Sequence, residues 1–163
     1  AASANNAGGN NNQNNNNQNN TDVNITSGKY SIGTYITGIE PGTGASDFVK
    51  NIAVSASGTV KLLTSSGSEN SGKIATGNKV AVYDASGNLK KTYDIVIYGD
   101  INGDGAVNAL DMIKLNRHIL GKGTLTGAYL EAADANRKRD GGNALDMIIM
   151  NRHILGKSKI SQN

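Results

Sequence analysis

The 163-residue sequence has no cysteine, no tryptophan, one proline and one phenylalanine, and aromatic residues make up only 4% of it. Without cysteine there can be no disulfide framework, no thiolate metal site and no catalytic thiol. With so little aromatic area and apolar residues at 37%, any core is small, in the range where burial alone gives marginal stability. Outside support is expected, and a metal held by oxygen ligands is the form the composition leaves open. No apolar run approaches the roughly 18 residues of a membrane span. No basic-then-apolar leader opens the sequence, so it reads as a soluble mature piece or an excised fragment, with any signal sequence upstream.

Charge of one sign is not concentrated either. The net +3 comes from 16 Lys and Arg against 13 acids, and the only basic cluster is Arg137, Lys138 and Arg139. No aromatics are interleaved with bases to stack unpaired nucleotides, which argues against nucleic acid as a partner. The two histidines, His118 and His153, each follow an arginine and lack a carboxylate at useful spacing. They read as surface or interface residues near a helix C-terminus, and with no nucleophile beside a base the chain is not expected to be an enzyme.

What is present falls into segments. Residues 5–20 hold eleven Asn and two Gln in sixteen positions, which leaves no apolar surface to offset ordering entropy, so residues 1–21 read as a disordered polar linker. Residues 22–98 show short alternating runs rich in β-branched residues and tyrosine. The candidate strands are 29–37, 59–64, 79–83 and 91–98, with 84–88 as a hairpin loop carrying Gly87. Residues 46–52 space their apolar side chains as a short helix, with Ser46 as its possible cap. A small β-rich (α+β) module is expected there, without a catalytic constellation.

The rest is an internal repeat. Residues 108–122 and 143–157 are identical at thirteen of fifteen positions with an offset of 35, and each copy reads as a helix preceded by a polar loop. Met112, Leu115 and Ile119, matched by Met147, Met150 and Ile154, form an apolar stripe, and Gly121 and Gly156 stand where a helix C-terminal glycine is expected. Leu110, Ile113 and Arg117 share a different face, as do Leu145, Ile148 and Arg152, which leaves it available to a partner. Residues 127–133 read as a third short helix, and 158–163 as a tail.

Counting from Asp100, oxygen-bearing side chains fall at positions 1, 3, 5, 9 and 12 (Asp100, Asn102, Asp104, Asn108 and Asp111). Gly105 is at position 6 and the Ala106 carbonyl at position 7. That ladder is the EF-hand arrangement, suited to the six to eight oxygens a calcium ion takes. An Asx-rich turn capping a helix would explain Asn108 and Asp111 but not the full ladder. The second loop, 134–146, is thirteen residues long and does not scan as cleanly. Either Arg137, Lys138 and Arg139 bulge outward and Asp140-Gly141 takes the role of Asp104-Gly105, completing a set with Asp134, Asn136 and Asp146, or a Lys or Arg head group replaces the ion. The neighbouring cations would weaken calcium binding there by repulsion, so the first loop is expected to bind more tightly.

On the motif YGDINGDGAVNALDMIKLNRHILG and its imperfect repeat AADANRKRDGGNALDMIIMNRHILG, residues 99–157 resemble a dockerin: an all-α module with two EF-hand-like calcium loops that binds cohesins in cellulosomes and related bacterial surface assemblies. The β-rich segment running into it without a linker resembles an X module fused to a type II dockerin. The resemblance implies two Ca²⁺ ions, the second on weaker grounds. It also implies partner contacts at Ala109, Leu110, Ile113, Asn116, Arg117 and His118 in the first copy. Ala144, Leu145, Ile148, Asn151, Arg152 and His153 are the equivalents in the second. The function implied is calcium-dependent docking to a cohesin of a scaffoldin or cell-surface protein, anchoring an upstream enzyme or surface protein in a secreted, polysaccharide-degrading assembly. The alternative is a calcium-stabilised structural module with no cohesin partner. Calcium is expected to fold residues 99–157 and to matter little to the β module.

Overall fold

Alternation of apolar and polar residues along a strand sends one set to each face of a sheet, and Val80 with Val82 and Tyr93 with Ile95 follow it. Val80, Val82, Tyr93 and Ile95 are buried against one core. In the computed structural model, which describes residues 22–163, these residues lie on β6 (Lys79–Tyr83) and β7 (Leu89–Ile95), paired antiparallel with an irregularity at Val82/Tyr83. The linker read over 1–21 lies outside the described residues. The loop joining β6 and β7 is held by Asp84, whose Oδ1 accepts from Ser86 N and Asn88 N at 2.9 Å, while Gly87 takes φ +80°.

Earlier in the chain come β1 (Ile25–Thr26), β2 (Ser31–Ile32), β3 (Tyr35–Thr37), α1 (Ala45–Val49), β4 (Ala53–Val54) and β5 (Thr59–Leu63). The main sheet has the order β2-β3-β7-β6-β5, with β3 parallel to β7, and β1 pairs with β4 in a separate two-stranded sheet. The single strand expected over 29–37 is instead two short antiparallel strands, because the chain reverses at Gly33, whose N–H donates to Tyr35 O. Ser46 is not the cap of α1; Gly44 is, with no side-chain bond. Buried Phe48 of α1 stacks on Tyr30 with centroids 5.0 Å apart, closing the core formed by Ile36, Ile39, Ile74, Ile95 and Ile97.

The C-terminal part is helical, with α2 (Ala109–Ile119), α3 (Gly127–Ala133) and α4 (Ala144–Ile154). Leu115 and Met150 are fully buried, packed with the small residues Ala128, Ala132 and Ala133 of α3. The stripe read from the sequence is shorter than expected: Ile119, the last residue of α2, is 40% exposed and lies outside the core. Both helices end in the same motif. Gly121 at φ +65° and Gly156 at φ +67° place Lys122 N on Arg117 O and Lys157 N on Arg152 O, each at 2.8 Å, so the last carbonyls are satisfied.

The two parts are joined by more than the chain. Val96 and Tyr98, just past β7, belong to the helical core, and Gly99 N donates to Ala132 O. The last residues, read as a tail, fold back over this junction. Ile160 is 3% and Gln162 2% exposed, and the Gln162 side-chain amide brackets Tyr98, accepting from its N–H at 2.8 Å and donating to its carbonyl at 3.0 Å. Gln162→Ala leaves both Tyr98 groups unpaired in a buried place, so a loss of about 2 kcal/mol or more is expected, a fall of roughly 4–8 °C in melting temperature. Unfolding scans of the two proteins check this, and an unchanged midpoint would contradict the clamp.

Candidate functional site

Each calcium-type loop is organised by an aspartate at its start and another at its end. In the first, Asp100 Oδ1 accepts from Gly103 N and Asp104 N, and Oδ2 accepts from Gly105 N and Thr76 N, at 2.8–3.1 Å. Asp111 Oδ1 accepts from Ile101 N and Asn102 N, and its Oδ2 from Asn108 N, all at 2.9 Å. Asn108 returns the favour to the helix, accepting from Leu110 N. Asp111 therefore ties the front of the loop to the first turn of α2, a task a carboxylate performs well at a helix N-terminus. Capping and ligand ladder, read from the sequence as rival explanations, occupy the same two residues.

The second loop repeats the wiring through different residue types. Asp134 accepts from Lys138 N and Arg139 N, Lys138 N also bonds Asn136 Oδ1, and Asp146 accepts from Asn136 N and Asn143 N. In backbone terms Arg137, Lys138 and Arg139 stand where Gly103, Asp104 and Gly105 stand in the first loop. Arg137 and Arg139 take φ +56° and +59°, the left-handed region their glycine counterparts use freely, at a cost of order 1 kcal/mol each. The expected role of Asp140-Gly141 is thus divided: the backbone role goes to Lys138-Arg139, and Asp140 contributes its carboxylate.

That carboxylate reaches its place. Asp134, Asp140 and Asp146 each present an oxygen within 4.8 Å of the others, the one such gathering among the described residues. A cationic head group does not fill the centre: no Lys or Arg lies within ion-pair distance of these acids among the described residues. Arg137 instead lies over the Tyr98 ring, 5.8 Å from its centroid, with its guanidinium on Ser161 Oγ. The donor set is oxygen only and rich in carboxylate, which suits a hard cation such as calcium rather than a soft metal. In the first loop Asp104 turns to its neighbours, accepting from Asn102 Nδ2 and Ala106 N. The closer gathering is therefore in the loop that the sequence ranks second.

Burial sets the electrostatics. Asp100, Asp111 and Asp146 are fully buried. Desolvation pushes Asp100 up to about 6, with the charge of Asp111 adding and the amides of Thr76, Gly105 and Asp104 opposing. Asp111 and Asp146 are likewise raised, first by burial and then by neighbouring acids.

Of the residues expected to meet a partner, Leu110, Ile113, Leu145 and Ile148 are 56–60% exposed, and Ala109, Asn116, Arg117, Ala144, Asn151 and Arg152 are exposed too. In the first copy, Leu110, Ile113, Lys114 and Arg117 line one side of a 530 Å³ groove closed by Thr124 and Leu125. His118 and His153 are half-buried and differ: each Nδ1 accepts a backbone N–H seven residues on, from Leu125 at 3.2 Å and Ile160 at 3.0 Å. Their recurrence is accounted for by closing the chain after each helix. The signal was in the sequence, since LGKGTL (120–125) and LGKSKI (155–160) extend the 35-residue repeat to Ile160.

The family model of the Dockerin type I domain matches residues 98–155. The C-terminal region thus matches the dockerin family, whose modules dock cohesins in a calcium-dependent way, and a β-rich region lies upstream. The matching model is that of type I, whereas the sequence alone likens the upstream segment to an X module fused to a type II dockerin. Among curated proteins no match is found. No helix among the described residues is long and apolar enough to cross a membrane.

Two outcomes are expected. Arg139→Gly relieves a left-handed side chain and removes a cation near Asp134, so calcium affinity at the second loop should rise several-fold in titration calorimetry; a lower affinity would refute this account of the loop. Because Asp100 is held above its ordinary value near 4, its contribution to the calcium-free fold is fully present below pH 4 and is lost as pH rises through about 6. In chelator the melting temperature should therefore fall across that window, and Asp100→Asn should flatten the fall. A midpoint that rises equally in both proteins contradicts it.

Proposed function

We propose that residues 99–157 carry calcium at both loops and dock a cohesin of a scaffoldin or cell-surface protein through the outward faces of α2 and α4. In this reading they anchor an upstream enzyme or surface protein in a secreted, bacterial, cellulosome-type assembly. The observation that carries this reading is the pair of apolar faces. Leu110 with Ile113 and Leu145 with Ile148 stay more than half exposed on helices whose other sides are buried, and each is flanked by an arginine. Large apolar side chains held out together on a small module mark an interaction surface, and apolar and Arg anchors usually carry most of an interface's energy. Asn116 and Asn151 lie beside these faces, while the histidines support them from beneath by closing the chain behind each helix.

The near identity of the two faces means that rotation by about half a turn presents almost the same surface, so either helix could lead. Lys114 and its counterpart Ile149 break that equivalence, as does the β module, which adjoins the first loop. A structural module without a partner needs the loops, the core and the histidine bonds, but not four exposed leucine and isoleucine side chains. Binding of the full chain to a panel of type I and type II cohesins, with and without chelator, tests the reading. Calcium-dependent capture by at least one cohesin is expected. Leu110→Ala with Arg117→Ala, and Leu145→Ala with Arg152→Ala, should have unequal effects, and the quadruple change should weaken binding on the order of a hundredfold or more. Full affinity in the quadruple variant would place the interface elsewhere.

A further inference from the structure

The β module and the first loop meet backbone to backbone. Gly42 N donates to Gly105 O at 2.9 Å, and Thr76 N donates to Asp100 Oδ2 at 2.8 Å. A Cβ on Gly105 would stand 2.5 Å from Ile74 O, and one on Gly103 would stand 2.9 Å from Thr76 O. The loop therefore lies flat against residues 74–76, too close for a side chain at either position. Thr76 is itself fixed: it is 1% exposed, and its hydroxyl donates to Ile97 O and accepts from Ile97 N. A strand-end clip thus aims an amide at the first residue of a calcium-type loop.

Nothing comparable serves the second loop. Among the described residues, every hydrogen bond to the carboxylates of Asp134, Asp140 and Asp146 comes from within 134–146. There the residues matching Gly103 and Gly105 are exposed arginines, with the Arg137 guanidinium over the Tyr98 ring. Two loops of one repeat thus differ in whether a neighbouring module supplies part of the wall.

We propose that the β module is a working part of the first calcium loop: Thr76 positions Asp100, so that calcium binding at this loop and docking of the two modules strengthen each other, while the second loop stands outside the coupling. The inference rests on the calcium reading above. Its physical basis is that a ligand's outer hydrogen-bond partners set its orientation, and losing one typically costs 10–100-fold in metal affinity. Because linkage is reciprocal, whatever the module adds to calcium binding, calcium adds to the module interface.

Thr76→Val in the full chain removes the clip while keeping the shape, and Thr76→Ser restores it. Calcium titration should show one of the two sites weakened about tenfold or more in Thr76→Val, the other unchanged, and near-normal binding in Thr76→Ser. On the unmodified protein, hydrogen exchange with and without chelator gives a second readout: amides of 74–77 and 97–99 should lose protection when calcium is removed, while those of β5 and β6 keep theirs. Two calcium sites that Thr76→Val leaves untouched, with 74–77 equally protected in both states, overturn the coupling alone. A protein that takes up no calcium overturns the calcium reading and the coupling with it.

Discussion

Four aspartates buried to 2% exposure or less, Asp100, Asp111, Asp134 and Asp146, sit at the ends of two short loops with no side-chain cation paired to any of them among the described residues. A buried carboxylate is costly unless it is compensated, and here the compensation is backbone amide. The path of each loop, the caps of α2 and α4, and the contact of the first loop with the β module all follow from supplying those amides. Amides offset dipole by dipole but leave the net charge in place, and a divalent cation is what removes it.

The helical half was legible because its patterns are local. Ligand spacing, caps, glycine stops and the extents of the helices all depend on residues within one turn or one loop of each other, and α3 lies where its apolar spacing puts it. The β half was legible only in its long strands. A two-residue strand such as β1 or β2 has no periodicity to read, and the Gly33 reversal hides within a run that alternates well enough for one strand. The junction was not legible at all. That Thr76 faces Asp100, or that Gln162 brackets Tyr98, depends on pairs 24 and 64 residues apart, and such pairs leave no trace in a single sequence.

The second loop teaches a related lesson. Its spelling, with three cations where a ligand and two glycines belong, invites realignment around Asp140-Gly141. The backbone instead keeps the frame of the first loop and accepts two left-handed arginines, because amide hydrogen bonds to Asp134 are worth more than the strain they impose. Sequence alignment follows side chains, whereas the loop is held by its main chain. A glycine in such a loop answers two separate demands, a left-handed backbone and room for a neighbour, and only the first loop makes both.

The return of the chain to Tyr98 also decides where its end emerges. Asn163 lies against Gly38, on the β module, rather than at the free end of α4. Any tag, surface linkage or further polypeptide joined after this residue would leave from beside the sheet.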